Sequence, residues 1–357
     1  MGLKAHLSRP LRYAFRSALS TTRSALSVSL HRLIAGPRLP AWNWAAEFST
    51  GTFRAHLATA FRMRNIVQAR QYLDAVTLVD STVLSRVQIS PVKHGCFRGQ
   101  WFTTSCPSST TLLYSHGGGY SFYPKTYTSL IASITLAANC RTFALDYGLA
   151  PEHRFPSQLQ EATAAYEWLL KTGVAAENMV VAGDSAGGNL TLALLLSLRD
   201  SNSRLPALAV LLSPATDFVA PTELPRDCSF IVNAPYDWIQ REMLASWADW
   251  FCSSSERNDP LVSPIYASLR GLPPMYIQAG KAEILYDGIR GFAERLKKEE
   301  QSVQLDAWDC MNHDFQLFGN FVPQSVEAVR RIGEVIQQNR QGRNQAADRD
   351  REVRRRT

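Results

Sequence analysis

The sequence is poor in features that would assign it to several common classes. Its six cysteines (Cys96, Cys106, Cys140, Cys228, Cys252 and Cys310) form no C-x-x-C pair. That excludes a zinc ribbon or a dithiol redox site and fits free thiols in a reducing compartment. No run approaches the ~18 apolar residues needed to span a bilayer, and no apolar h-region marks a secretory signal. No internal repeat is present, and no Gly-Lys-Ser/Thr follows the glycine run at 117–119, so there is no Walker loop. What is present is ordinary globular composition: of 357 residues, 45% are hydrophobic and 19% charged, enough to bury a large core without staples.

Acid is missing from the first 46 residues, which carry Lys4, Arg9, Arg12, Arg16, Arg23, Arg32 and Arg38 before Glu47 appears. The last 20 residues carry a further +4, so the body between the two ends is −4 although the whole chain is +7. A nucleic-acid binder would carry its basic face on the folded domain, and this charge distribution argues against one. The N-terminal stretch is Arg- and Ser-rich, with Leu26, Leu30, Leu33 and Ile34 spaced as on an amphipathic helix. A cap helix or one lying on a membrane surface is expected there. A mitochondrial presequence shares this composition and is the lesser reading. The tail from Gln337 is polar and Arg-rich and is expected to fray into solvent.

Between the ends, short apolar runs at 111–114, 142–145, 179–182, 208–212, 275–278 and 303–308 alternate with helical patterns at 157–170, 190–198 and 287–298. In the last pattern Ile289, Phe292 and Leu296 share one face. Buried strands separated by helices predict a mainly parallel sheet covered on both sides. The weak alternation over 87–103 predicts an antiparallel entry to that sheet. The expected organisation is a basic helical segment over 1–75, an α/β domain over 76–337 and a polar tail over 338–357.

Gly183-Asp184-Ser185-Ala186-Gly187 sits between a predicted strand and a helix expected from about Asn189, the context that gives G-x-S-x-G its meaning. A strand turning sharply into a helix lifts the Ser185 hydroxyl above the sheet edge. It also aims the Ala186 amide, at the positive helix end, at whatever Ser185 attacks. His116-Gly117-Gly118-Gly119 follows an earlier strand. Three glycines cost backbone entropy, and bare Gly118 and Gly119 amides facing a developing oxyanion would justify it. The base partner follows from chain order, serine then acid then histidine. His313 is the one histidine after Ser185, and it follows the last strand. Glu283 is the first carboxylate after the strand at 275–278. Asp287 competes with it, but stands where helix capping explains an acid.

Together these motifs resemble the hormone-sensitive-lipase-like branch of the α/β-hydrolases. The resemblance rests on His116–Tyr120, the stretch Asp146–Pro156, Gly183–Gly188, and Ser213-Pro214 with Asp217, and it covers about residues 85–335. It implies a mainly parallel eight-stranded sheet with helices on both faces and a helical cap. The cap would form from residues 1–75 and an insertion at about 218–250. It also implies Ser185 as nucleophile, Glu283 and His313 as its partners, and the amides of Gly118, Gly119 and Ala186 as the oxyanion hole. Where the family commonly places D-x-L-x-D, the first acid here is Glu283. Glu152 and His153 are expected to be scaffold or site-wall residues. No metal or organic cofactor is implied.

The expected activity is hydrolysis of a small to medium apolar ester, such as an acetylated natural product or a sterol ester. An amide or thioester on the same machinery is an alternative, as is a ligand-binding protein on the same scaffold; the presence of His313 disfavours the latter. The expected partner is a small-molecule ester, with a homodimer as an option, and the expected location is intracellular, chiefly cytoplasmic. The aromatic stretch Cys228–Trp250, with Phe230, Tyr236, Trp238, Trp247 and Trp250, fits an apolar pocket wall as well as simple cap packing.

Overall fold

The computed structural model describes residues 3–5, 11–76, 78–219 and 225–356. Its centre is an eight-stranded sheet. The strands are β1 (Gln88–His94), β2 (Phe97–Thr103), β3 (Thr111–Ser115), β4 (Arg141–Leu145), β5 (Met179–Asp184), β6 (Leu208–Leu212), β7 (Met275–Gly280) and β8 (Val303–Trp308). Their order across the sheet is β1-β2-β4-β3-β5-β6-β7-β8. Only β2 runs against the rest, as the antiparallel entry predicts.

Register positions the loops. Ser115 at the end of β3 pairs with Gly183 near the end of β5, so the segments after these two strands leave the same edge side by side. Gly280 at the end of β7 pairs likewise with Trp308 at the end of β8. Every residue of β3, β5, β6 and β7 is buried, the signature of a parallel sheet covered on both faces. On one face α4 (Thr126–Ala138) and α9 (Pro323–Arg356) pack Ile131, Ile332 and Ile336 against Leu112 and Tyr114. On the other, α5 (Ser157–Lys171), α6 (Ser185–Asp200) and α8 (Tyr286–Lys298) pack Leu159, Leu192 and Phe292 against Leu113 and Val181.

The N-terminal stretch forms α1 (Leu11–Ala35), α2 (Trp44–Phe61) and α3 (Ile66–Ala75), the latter two capped by Asn43 and Asn65 side chains. Leu3–Ala5 pairs in a small antiparallel ribbon with Leu78–Asp80. The segment after β6 includes α7 (Arg241–Phe251). Leu57 and Tyr72 from α2 and α3, Ile239, Met243 and Trp247 from around α7, and Phe122 and Ile284 from loops beside the sheet share one buried cluster. Burying a side chain such as Met243 is worth about 1.5–3 kcal/mol, which ties these distant segments together. Arg70 of α3 adds a fork to Glu152 and donates to the carbonyls of Ser121 and Ala150. Glu152 thus has the scaffold position expected of it.

Two expectations are corrected. The helix after β5 begins at Ser185 itself rather than near Asn189, because the turn is tight enough for its central residue to open the helix. The tail does not fray at Gln337: α9 continues to Arg356. Ala328, Ile332 and Ile336 anchor its first half, Arg330 bridges Glu327 and Glu334, and no proline follows to stop propagation. Extending a nucleated helix is far easier than starting one.

Candidate active site

The turn between β5 and α6 is dictated by close approach. A Cβ on Gly183 would sit 2.3 Å from the Gly187 carbonyl oxygen, and one on Gly187 would sit 2.0 Å from that of Ser115. Glycine at both positions lets Ser185 take φ +50°, a left-handed conformation uncommon for a residue with a side chain. Asp184, fully buried, does not cap its helix. Its Oδ1 accepts from the Tyr114 hydroxyl at 2.7 Å and the Gly117 amide at 3.0 Å, which clamps the glycine run to the serine turn.

The structure brings the three sequence-predicted side chains into one line. His313 Nε2 lies 2.9 Å from Ser185 Oγ, and His313 Nδ1 lies 2.8 Å from Glu283 Oε2. The second oxygen of Glu283 accepts from the Gly280 amide at 2.8 Å and the Ser213 hydroxyl at 3.1 Å. A carboxylate so held fixes the imidazole tautomer with Nδ1 protonated and Nε2 free to accept. Asp287 is placed elsewhere: it accepts from the Ser229 amide at 2.6 Å and pairs with Arg290 at 3.2 Å. Its carboxylate serves the segment after β6 rather than His313.

The glycine run takes positive φ at Gly118 (+94°) and Gly119 (+59°). A Cβ on Gly118 would sit 2.2 Å from the Phe122 carbonyl oxygen, and one on Gly119 would enter the Trp247 ring at 2.4 Å. Among the described residues no acceptor takes the amides of Gly118, Gly119 or Ala186. His116 is locked between the rings of Tyr123 and Tyr147, stacked at 3.6 and 4.1 Å, and burial lowers its pKa to about 3. It is therefore a neutral scaffold ring.

Two carboxyls escaped the sequence reading. Asp237 accepts from the amides of Ile284 (2.7 Å) and His313 (3.3 Å), so one buried side chain pins both the acid loop and the histidine loop. Asp314 takes a left-handed φ of 44° and sets Oδ2 3.3 Å from His313 Nε2. Burial, with Asp184 adjacent, raises the Asp314 pKa well above the usual carboxylate range. Burial acts to lower the His313 pKa, but the neighbouring Asp314, Glu283 and Asp237 outweigh it and move it upward, which suits a ring that must take up a proton. No pattern marks Asp237 in sequence. Asp314 directly follows His313, but nothing in that adjacency announces burial.

Ser185 and His313 open on a cavity of about 210 Å³, walled by Leu57, Phe122, Trp238, Ile239 and Trp247. Its apolar walls come from α2, the glycine loop and the segment after β6. The arrangement can move a proton from Ser185 to His313 and store the resulting charge against Glu283, and Gly118 and Gly119 line the same cavity as the hydroxyl. Among the described residues no cluster of His, Cys, Asp or Glu could hold a metal ion.

Comparison with known proteins places the chain in a family by its fold and sequence. A family model described as the alpha/beta hydrolase fold matches residues 112–317. An acetyl-hydrolase of Streptomyces hygroscopicus is 32% identical over 237 residues, covering 66% of this chain and 77% of that protein. An esterase of Acinetobacter venetianus is 28% identical over 251 residues, covering 70% and 81% respectively. A crystal structure of an esterase from the bacterial hormone-sensitive lipase family superposes with a TM-score of 0.77 at 32% identity, covering 84% of this chain and 99% of that one.

Proposed function

Because this chain belongs to the α/β-hydrolase fold family and is a carboxylic-ester hydrolase of its hormone-sensitive-lipase-like branch, we propose that Ser185, His313 and Glu283 are the residues through which it cleaves esters. The observation that carries this reading is the unbroken hydrogen-bonded line from Glu283 through His313 to a left-handed Ser185 at the base of an apolar cavity.

In this mechanism Ser185 Oγ attacks the ester carbonyl while His313 Nε2 takes its proton, and the imidazolium is balanced by Glu283. The carbonyl oxygen gathers negative charge and is received by the amides of Gly118, Gly119 and Ala186. Collapse expels the alcohol, protonated by His313, and leaves an acyl group on Ser185. Water activated by the same histidine releases the acid. Asp237 and Asp314 are positioning residues. The first fixes the loops that carry Glu283 and His313, and the second faces Nε2, where the proton arrives.

Gly118→Val tests the oxyanion site. The added Cβ would displace the loop against Phe122, and losing one such donor costs about 2.7–4 kcal/mol, or 10²–10³ in kcat. Steady-state kcat with the melting temperature measured in parallel checks it. Near-normal kcat would reduce the glycines to a loop.

The substrate is proposed to be a small to medium apolar ester, with acetylated natural products and sterol acetates as candidate classes. A cavity of about 210 Å³ is smaller than most drug-sized ligand sites and suits a short acyl group. The name of the Streptomyces relative, acetyl-hydrolase, points the same way. Across p-nitrophenyl esters, kcat/KM is expected to be highest for acetate to butyrate and to fall by about tenfold or more at palmitate, since a chain longer than the cavity must push its packed walls aside. A maximum at palmitate would overturn the short-acyl assignment.

A further inference from the structure

The helix α1 is amphipathic in the reverse sense. Tyr13, Ser17, Thr21, Ser24 and Val28 face the protein, where Thr21 Oγ1 meets His56 Nε2 at 3.5 Å. Phe15, Leu19, Leu26, Leu30 and Leu33 recur at spacings of four, seven, four and three, which places them in one stripe on the opposite side. All are exposed, Leu26 by 65% and Leu33 by 85%. An apolar stripe of this length facing water is a docking surface in search of an occupant.

The charge beside the stripe identifies that occupant. No acid occurs anywhere in α1. Arg16 and Arg23 flank the stripe and line a cavity of about 1110 Å³ between α1 and α2, together with Arg38, Arg54, Arg62 and Arg64. Among the described residues Arg16, Arg23, Arg62 and Arg64 have no ion-pair partner, and Glu47 in the same cavity is held by Arg32. A second copy of the chain would set arginine against arginine. Exposed leucines bordered by unpaired arginines instead match an anionic lipid surface, with acyl chains for the stripe and headgroup phosphates for the cavity. No helix among the described residues is long and apolar enough to cross a membrane, so the contact would be peripheral.

We propose that this protein docks on anionic membranes through the outward stripe of α1 and its neighbouring arginines. The inner face of the same helix walls the cavity that reaches Ser185, through Ser17 and Thr21. A docked molecule therefore holds its pocket against the bilayer, which suits an ester dissolved in lipid. That consequence rests on the ester-hydrolase reading, whereas docking itself does not.

Co-sedimentation of the full chain with vesicles separates the two. Binding is expected to equimolar phosphatidylcholine and phosphatidylserine, and to be at least about tenfold weaker to phosphatidylcholine alone. R16Q/R23Q should weaken binding by about thirtyfold, since each arginine near such a surface is worth about fivefold. L26Q/L30Q/L33Q should weaken it at least about tenfold while leaving the melting temperature intact, because these leucines touch no core. Ser185→Ala should bind as the native chain does. With a bilayer-dissolved acetate, R16Q/R23Q should lose rate, while its rate on p-nitrophenyl acetate stays unchanged. No binding to the anionic vesicles, equal binding of the leucine variant, or a dimer that this variant dissolves would each overturn the proposal.

Discussion

Ser185→Ala is expected to lower kcat by about 10³–10⁶-fold while the melting temperature stays at or above the native value. The attacking oxygen is lost and nothing in the remaining site can replace it. His116 is neutral and walled in by two tyrosine rings, and among the described residues no other hydroxyl or thiol hydrogen-bonds His313 Nε2, whose further neighbour is the buried Asp314 carboxyl. The fold does not depend on the hydroxyl. The turn is built by Gly183 and Gly187 and by the Ala215 amide donating to the Ser185 carbonyl at 3.0 Å, none of which the substitution touches. An organophosphate should label Ser185 in the native chain and leave the alanine variant unlabelled. Mass spectrometry of the labelled peptide reads this directly. A label on any other residue, or native turnover by the variant, would transfer the nucleophile elsewhere.

Much of this site was legible because its elements carry steric signatures. Gly183, Gly187, Gly118 and Gly119 stand where a Cβ would overlap backbone oxygen or a ring, and Gly117 where it would meet the Asp184 carboxylate. The strands were readable as short apolar runs because a parallel sheet buries both faces. His313 was identified by order alone, as the one histidine after the serine. Asp237 and Asp314 were not legible, since their importance lies in which loops they face after folding. The direction of α1 was equally hidden. Its periodicity announces an apolar face, and ordinarily such a face turns inward. Here the small polar residues pack instead, and the leucines remain outside. The last turns of α9 escaped for a related reason, because composition says polar while the helix inherits its continuation from a nucleus on Ile332 and Ile336.

The assignment of the acid yields the second large effect. Glu283 divides its two oxygens between different tasks: Oε1 accepts from the Gly280 amide and the Ser213 hydroxyl, and Oε2 accepts from His313 Nδ1. In Glu283→Gln the amide oxygen must take the place of Oε1, because a backbone N–H cannot donate to an NH₂ group. The NH₂ then faces His313 Nδ1 and donates to it. The ring proton moves to Nε2, where it points at Ser185 and removes the acceptor that the attack requires. The same reversal costs about 10⁴ in kcat in serine proteases, and a loss of that order is expected here. Asp287→Asn should keep nearly full kcat. It weakens contacts to the Ser229 amide and Arg290 and should cost stability of about 1 kcal/mol, seen as a lower melting temperature. Measuring kcat and melting temperature for both variants decides between the two carboxylates. The converse pattern, with Asp287→Asn inactive and Glu283→Gln active, would move the role to Asp287 and would require the loop after β7 to turn its helix start toward His313.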